Sequence, residues 1–400
     1  MLIAPGLGAG TAEVSCTGAL GYIMHRPHGS TSIQTGQFAV DMPLAGAVTT
    51  AKKQGKPAMK TQKPIIVVGG YGAVGRYIVA DLHHMLPEAR IIVAGRSLPK
   101  AQSFADTFDD RVTAATVDVT SETSTNAAFA QSSLVILNTE AGAEAAARIC
   151  IEQGISMITV AASVPLIRAI ATMHRAARAG DVALVTEVGL APGLLNLMAH
   201  QIMADQPGAR FLDLVIQLAM AGDHGPEAMA WTIARSNEAG RAIALAPALP
   251  KIGRWVIPVD FVDREKMAGD LKVETVTSSL ALMPTWSSRV LPAIAPFLAR
   301  HPRLLAKIAG PVDAVSRVLR LPFDSFNLVV RARGQDQSAA LNLRGQNQSR
   351  VTGRVAAMTA ARLVEQPQNT PRGVVALTDI VTFDDLGPAL EDIGCTLTKA

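Results

Sequence analysis

The stretch Pro64-Ile65-Ile66-Val67-Val68-Gly69-Gly70-Tyr71-Gly72-Ala73-Val74-Gly75-Arg76-Tyr77 decides the fold of this chain. Four consecutive β-branched residues, 65–68, are typical of a short strand buried inside a parallel sheet. Gly70, Gly72 and Gly75 follow with G-x-G-x-x-G spacing, and an amphipathic run predicts a helix after them. The stretch therefore predicts a strand, a tight turn and a helix N-terminus that binds the pyrophosphate of a dinucleotide.

Each glycine has its own role in such a turn. Gly70 permits the sharp bend, Gly72 lacks a Cβ so that backbone can approach phosphate, and Gly75 lets the helix pack close to the strand. The other interpretation is a glycine-rich turn without a ligand, but the flanking strand and helix favour a dinucleotide site. The predicted cofactor-binding residues here are Gly70, Tyr71, Gly72, Ala73, Val74 and Gly75.

A second apolar strand, 90–95, ends in Arg96 and Ser97, about twenty residues after the glycines. Enzymes that use NAD usually place Asp or Glu at this point, where the carboxylate binds the ribose 2′-hydroxyl. A carboxylate would repel a 2′-phosphate, whereas a guanidinium binds it with two hydrogen bonds. The sequence thus predicts NADP(H) as cofactor, with a solvated loop cation as the other interpretation of Arg96.

From Lys63 to about Ala162 the pattern alternates strand and helix, which predicts a parallel sheet with right-handed crossovers and helices on both faces. Ligand should lie over the carboxyl ends of these strands. Asp118 and Val119 end the third strand, near a bound adenine, although Asp118 is equally expected as an ordinary helix N-cap. Asn138 and Thr139 end the fourth strand and complete the predicted cofactor site.

The second half of the chain predicts a different architecture. Segments 211–219, 254–261 and 271–275 have strand character, and 327–333 with 339–343 predicts a hairpin. We therefore predict an α/β fold: a doubly wound Rossmann parallel sheet with a second α+β domain that contains a mostly antiparallel sheet. The predicted divisions are a poorly ordered extension (1–60), the NADP-binding domain (61–200), a substrate and oligomerisation domain (201–350), and a C-terminal helix and tail that return to the first domain (351–400).

Segment 287–323 is apolar but carries several arginines, and its prolines predict a series of short helices. Such a basic amphipathic segment can lie on a membrane surface. The alternative that we favour at this point is a set of buried helices whose arginines extend to solvent.

Bulk composition excludes several classes of protein. The net charge of +4 is small for 400 residues. The sequence also lacks a basic run interleaved with aromatics, the pattern that would indicate nucleic-acid binding. The 3 cysteines are scattered, which predicts neither a disulfide framework nor a metal site and fits a reducing cytoplasm. No apolar stretch approaches the ~20 residues that span a bilayer. Met59, just before the first strand, is a candidate second start of translation.

Two groups are candidates for the proton donor. Glu187 lies beside the turn 189–193, Gly-Leu-Ala-Pro-Gly, and its alternative is a solvated loop carboxylate. Asp223 and His224 lie in a polar loop after a strand, and His224 could titrate near neutral pH, unless it is a surface histidine. Arg331 and Arg333 could bind a substrate carboxylate, but as alternate residues of a strand they are expected to face solvent.

Taken together, the motifs resemble the saccharopine dehydrogenase-like family of NAD(P)-dependent oxidoreductases. The resemblance covers about Lys63 to Gly394 and rests on the order of the glycine turn, the Ala94-Gly95-Arg96-Ser97 strand end, Asp118-Val119, the turn 189–193, and Arg331-Ala332-Arg333-Gly334 with the helix after Arg350. The resemblance implies hydride transfer between NADP(H) and a secondary amine or imine. Because other members reduce lipid or polyketide substrates, it does not fix the substrate.

The predicted function is an NADP-dependent oxidoreductase that acts on a small imine, secondary amine or carbonyl substrate, with no metal and with a homodimer as one state to consider. One rival is a membrane-associated enoyl or keto reductase, which segment 287–323 would support. The other is a non-catalytic NADP-sensing protein that keeps the fold without a proton donor.

Overall fold

Two sheets make up the part of the chain that this computed structural model describes, which is residues 63–219, 225–244, 252–301, 324–335 and 337–399. The strands are β1 (Ile65–Val68), β2 (Ile91–Gly95), β3 (Val112–Thr116), β4 (Leu134–Leu137), β5 (Ser156–Thr159), β6 (Ala183–Thr186), β7 (Phe211–Ala219), β8 (Ile243–Ala244), β9 (Trp255–Pro258), β10 (Thr275–Met283), β11 (Ser325–Arg333), β12 (Ser338–Gln346), β13 (Gly373–Ala376) and β14 (Thr396–Lys399). The predicted extension, residues 1–60, lies outside the described residues.

The helices connect these strands in chain order. They are α1 (Gly75–Met85), α2 (Leu98–Ala105), α3 (Glu122–Phe129), α4 (Ala143–Gln153), α5 (Val164–Ala171), α6 (His174–Ala179), α7 (Leu195–Asp205), α8 (Gly225–Ala239), α9 (Arg264–Leu271), α10 (Ser287–Arg300), α11 (Gln348–Glu365) and α12 (Phe383–Asp392). Residues 164–179 form two helices, and α5 ends where the Thr172 hydroxyl donates to the Ala169 carbonyl at 2.7 Å.

The first sheet is parallel throughout, with the order β13-β6-β5-β4-β1-β2-β3 in the described chain. Strand β1 lies near its centre, and its side chains alternate between two hydrophobic clusters. Ile65 and Val67 pack with one cluster, which includes α1, and Ile66 and Val68 pack with the other, which includes α4. This burial on both faces explains the uninterrupted apolar run of the sequence and confirms the predicted Rossmann fold.

The second sheet has the order β14-β12-β11-β7-β10-β9-β8 in the described chain. Its pairings are antiparallel except for β7 with β10, so the predicted mostly antiparallel sheet is confirmed. The predicted strand at 271–275 is wrong except for its last residue, since 271–274 form the end of α9 and the turn after it, and β10 begins at Thr275. Helix α9 begins at Arg264 because the Asp263 carboxylate accepts a hydrogen bond from the Lys266 amide at 3.2 Å, as an N-cap does.

Helix α10 runs without a break through Pro292 and Pro296, so the predicted ends of helices at these two prolines are wrong. Its continuity comes from packing, since Leu291, Ala295 and Leu298 are buried against α8, β9 and β10. Residues 302–323, the rest of the predicted basic segment, lie outside the described residues. Among the helices that the structure describes, none has both the length and the apolar character needed to cross a membrane.

Helix α11 packs against α1, at the glycine turn, although it follows the second sheet in the chain. The close contact depends on Gly353, because an added Cβ there would lie 2.6 Å from the Tyr77 Cβ. Asn347 Nδ2 also donates to the Tyr77 hydroxyl at 2.7 Å. Strand β13 then pairs with β6, so the chain returns to the first sheet before β14 completes the edge of the second.

Candidate functional site

The glycine turn is held in a conformation that only small residues permit. Gly69 has φ +76°, and a Cβ there would lie 2.9 Å from the Asn138 carbonyl oxygen. At Gly75, where α1 begins, a Cβ would lie 2.7 Å from the Gly70 Cα and closer still to the Gly69 carbonyl oxygen. Strand, turn and helix therefore approach one another as closely as the backbone allows.

This turn presents unpaired donors at the start of a helix. Within the described residues, the amides of Tyr71, Ala73 and Val74 donate no hydrogen bond to a backbone carbonyl. Partial positive charge at the N-terminus of α1 adds to these donors. The turn follows β1, whose neighbours in the sheet are β2 and β4. Strand order reverses between β1 and β4, and such sheets bind ligands at this point. The residues present therefore fit the pyrophosphate of a dinucleotide.

The end of β2 meets the glycine turn through an aromatic side chain. The Tyr71 hydroxyl accepts a hydrogen bond from the Ser97 amide at 3.1 Å, and the ring covers Gly95 so closely that a Cβ there would lie 2.6 Å from it. Arg96 is exposed beside this contact. The structure thus brings Tyr71, Arg96 and Ser97 together, with a cationic side chain at the edge of the predicted cofactor site.

Asp118 lies near Arg96 but does not cap a helix. Thr120 donates to its Oδ1 from both the amide, at 3.0 Å, and the hydroxyl, at 2.7 Å. These hydrogen bonds lower the pKa of Asp118, and the nearby charge of Arg96 lowers it further. The N-cap of α3 is Ser121, so the N-cap interpretation of Asp118 is wrong. Val119 is buried in the core, with its carbonyl against Gly142.

A cavity of about 640 Å³ lies between the glycine turn and the second sheet. It extends over the carboxyl ends of β4, β5 and β6. Asn138 and Thr139, which follow β4, are among the residues that line it. Most of its wall is apolar, and the lining residues include Val74, Val160, Val188, Leu190, Pro192, Ile216 and Leu218. Helix α11 contributes Gln348, Ser349 and Thr352, so elements of both sheets and this helix line one cavity.

Glu187 is buried behind this cavity and is not among the residues that line it. Only 5% of its surface is exposed, so its interpretation as a solvated loop carboxylate is wrong. Asn196 Nδ2 donates to its Oε2 at 2.8 Å, and the Lys266 ammonium lies 3.9 Å from its Oε1. Burial raises the pKa of Glu187, against the opposing effects of Lys266 and Asn196.

Asn196 is a functional candidate that sequence reasoning missed. Its Oδ1 accepts a hydrogen bond from the Gly193 amide at 3.2 Å, while its Nδ2 binds Glu187. The side chain therefore fixes the turn that carries Leu190 and Pro192 into the cavity wall. The available signal was one amide in an otherwise apolar helix start, Leu194-Leu195-Asn196-Leu197-Met198, which predicts a buried polar contact.

Arg331 does not face solvent as expected, whereas the Arg333 side chain is 34% exposed, and neither lines the cavity. Both bind Asp213 on the neighbouring strand β7, with Arg331 Nη2 at 2.7 Å and Arg333 Nε at 2.9 Å from Oδ2. Burial alone would raise the pKa of Asp213, but the hydrogen bonds from Arg333 and Arg331 hold it below its usual value. Arg331 is 5% exposed, so these arginines belong to a buried ion cluster rather than to a substrate clamp.

Asp223 and His224, the second proton-donor candidate, lie outside the described residues. The elements on either side of them, β7 and α8, both contribute to the cavity wall, through Leu218 and Thr232 among others.

Comparison with known proteins agrees with this geometry. The family model "Saccharopine dehydrogenase NADP binding domain" matches residues 65–185. Apo saccharopine dehydrogenase (L-Glu forming) from Saccharomyces cerevisiae has a similar structure, with a TM-score of 0.58 and 14% identity over 84% of this chain and 99% of that one. Pen from Bacillus thuringiensis is also matched, with a TM-score of 0.28 and 13% identity over 40% of this chain and 58% of that one. No curated protein sequence matches the chain.

Proposed function

We propose that this chain, which belongs to the saccharopine dehydrogenase-like NADP-binding family through residues 65–185, is an NADP(H)-dependent oxidoreductase that reduces an uncharged, largely apolar carbonyl or imine compound. The family supplies the cofactor and the general class of reaction. The nature of the substrate is our inference from the cavity beside the glycine turn.

The apolar wall of that cavity is the observation that carries the proposal. Among its described lining residues the only charged side chain is Glu140, and no arginine, lysine or histidine is present. Glu140 Oε1 accepts a hydrogen bond from the Ala162 amide at 3.1 Å, which satisfies part of the hydrogen-bonding capacity of its carboxylate. A substrate carboxylate would find no cation among the described lining residues, and a buried unpaired charge is costly. An apolar substrate instead gains from contact with Ile216 and Leu218.

The cofactor-binding residues have distinct roles in this proposal. Amides of the glycine turn bind the pyrophosphate, and Arg96 with the Ser97 side chain binds the 2′-phosphate. Asn138 and Thr139 lie where the cavity meets the turn and orient the nicotinamide end. When bound, the cofactor supplies the hydride. Ile216, Leu218 and Pro192 exclude water from the space in which the substrate is held.

Reduction of a carbonyl or imine also needs a proton donor within hydrogen-bond reach of the oxygen or nitrogen. We propose that the connection between β7 and α8 supplies it, through His224 or Asp223, because both flanking elements line the cavity. Glu187 acts differently in this scheme. It holds Asn196, and through Asn196 the turn 189–193, so it is a positioning residue.

The test is oxidation of NADPH, followed at the nicotinamide absorbance, with a matched panel of substrates. The panel pairs neutral aldehydes, ketones, imines and enones with the corresponding carboxylate-bearing compounds. We expect turnover of neutral members and little of the charged ones. Preference for the carboxylates would contradict the assigned substrate class, and NADPH binding without turnover of any member would favour the cofactor-sensing alternative.

Variants separate the two proton-donor candidates. His224→Ala and Asp223→Asn should lower kcat by roughly 100-fold or more for the residue that donates the proton, with NADPH affinity unchanged. Glu187→Gln keeps the hydrogen bond to Asn196 and should lower kcat far less. The reverse order of effects would move the proton donor to Glu187.

A further inference from the structure

Helix α10 exposes a continuous row of large apolar side chains, which is independent of the proposed function. The row, here called the apolar stripe, consists of Trp286 (64% exposed), Val290 (44%), Ile294 (44%) and Phe297 (54%). Their spacing of four, four and three residues places them on one face of the helix. The opposite face is buried, so α10 is anchored to the protein while its outer face has no partner in the described chain.

Basic groups bracket the apolar stripe at both ends. Arg254 and Arg289 both lie over the Trp255 ring, 5.8 and 5.0 Å from its centre, and this cluster is next to Trp286 because Gly253 packs against Thr285. Arg300 and His301 follow Phe297 at the other end, and the His301 ring lies 4.4 Å from the Phe297 ring. Residues 284–301 contain no acidic side chain.

We propose that the apolar stripe docks this protein onto a lipid bilayer that carries anionic headgroups. A helix with one apolar face, a tryptophan and flanking arginines lies in the plane of the interface, with its apolar side chains among the acyl chains and its cations among the headgroups. The stripe is about 17 Å long, at 1.5 Å of rise per residue. Trp286 and the arginines lie where the boundary between acyl chains and headgroups would be.

Charge favours this occupant over a second copy of the chain. A two-fold dimer would place the same patch on both sides of the interface, and would bring Arg289 and Arg300 close to the arginines of the partner's patch. Because the segment has no acidic side chain, such a dimer could not compensate these charges within the patch. An anionic surface compensates them all.

The test is co-sedimentation of the full chain with vesicles of phosphatidylcholine alone and of phosphatidylcholine mixed with phosphatidylglycerol. We expect binding to the mixed vesicles, weakened by salt, and little binding to phosphatidylcholine. The variant V290S/I294S/F297S and the single variant R300E should each bind at least about tenfold more weakly. Leu98→Ser is the matched control, since Leu98 is a similarly exposed apolar residue (46%) on α2 and should leave vesicle binding unchanged.

Folding and contact are checked separately. NADPH binding and far-UV circular dichroism verify that each variant is folded. Quenching of tryptophan fluorescence by brominated acyl chains should be strong in the wild type and reduced in Trp286→Phe, which still binds the vesicles. Equal vesicle binding by the wild type and the triple variant would overturn the proposal. A wild-type protein that does not bind vesicles but forms a dimer, which the triple variant cannot form, would also overturn it. So would a wild-type protein that neither binds vesicles nor dimerises.

Discussion

The Asn196 side chain donates a 2.8 Å hydrogen bond to the buried carboxylate of Glu187, across the turn that forms part of the cavity wall. Glu187 has φ +59°, a left-handed conformation that is unusual for a residue other than glycine. The contact therefore couples the end of β6, through its backbone and its buried charge, to the helix that follows. Any change in the protonation of Glu187 acts directly on the turn 189–193.

Glu187→Gln should change how stability depends on pH. Burial raises the folded-state pKa of Glu187 above its ordinary value of 4.5, so the folded protein takes up the proton more readily than the unfolded chain. The stability that this provides is fully present below pH 4.5 and is lost as pH rises through the folded-state pKa. The difference in free energy of unfolding between variant and wild type should therefore increase, in favour of the variant, as pH rises from 4.5 through the folded-state pKa of Glu187.

Urea unfolding at several pH values measures this difference. Glu391→Gln serves as the control, because Glu391 is an exposed carboxylate on α12 and its variant should follow the wild-type pH dependence. A constant difference between Glu187→Gln and wild type over the whole range would contradict the raised pKa.

Arg331→Ala should destabilise the protein far more than Arg333→Ala. Both side chains bind the buried carboxylate of Asp213, but the Arg331 side chain is 6% exposed and that of Arg333 is 34% exposed. Removing one partner of a buried ion pair costs about 3–5 kcal/mol, whereas an exposed partner contributes up to about 1 kcal/mol. Thermal and urea unfolding of the two variants give the comparison, and equal losses would show that Arg331 is not the main partner of Asp213.

Arg96→Glu should weaken NADPH binding by roughly 10- to 100-fold and NADH binding much less, because the substituted carboxylate repels the 2′-phosphate. Titration by nicotinamide fluorescence measures both affinities. Arg90→Glu is the matched control, since Arg90 is an exposed arginine just before the opposite end of β2 and its variant should bind both cofactors as the wild type does. Equal losses of affinity for NADPH and NADH in Arg96→Glu would show that Arg96 does not bind the 2′-phosphate.

Gly75→Ala should lower stability by about 1–3 kcal/mol and abolish measurable NADPH binding. The reason is steric, since the new Cβ would overlap the Gly69 carbonyl and force α1 away from the turn. In contrast, a Cβ added at Gly387 would have no atom within 4 Å. Gly387→Ala should therefore leave the free energy of unfolding unchanged or raise it by up to about 1 kcal/mol. Thermal unfolding with and without NADPH distinguishes the two, and a stable Gly75→Ala that binds cofactor would refute the close packing.

The first sheet was predictable because its signals are local. Consecutive β-branched residues and the glycine spacing occur within a few residues of one another, and they identify β1, the turn and α1 without knowledge of the rest of the chain. The binding of Arg331 to Asp213 was not predictable in this way. The two residues are far apart in sequence and become neighbours only through the pairing of β11 with β7.

Helix α10 illustrates a second limit. Its two prolines favour a break, and the local preference was outweighed by burial of Leu291, Ala295 and Leu298, whose partners lie on other elements.

The position of Glu187 was recognisable as important from its neighbouring turn, but the direction of its side chain was not. That direction is set by Asn196 and by Lys266 on α9, and no local pattern places Lys266 beside Glu187.

The return of the chain to the first sheet has a consequence for how the protein is made. Strands β1 to β6 leave the ribosome long before β13, which becomes available to pair with β6 only after six of the seven strands of the second sheet have been synthesised. Until then β6 is an exposed edge, and unpaired edges invite association with other chains. A fragment that ends at residue 186 would keep that edge permanently, so the cofactor domain is expected to be a poor candidate for expression on its own.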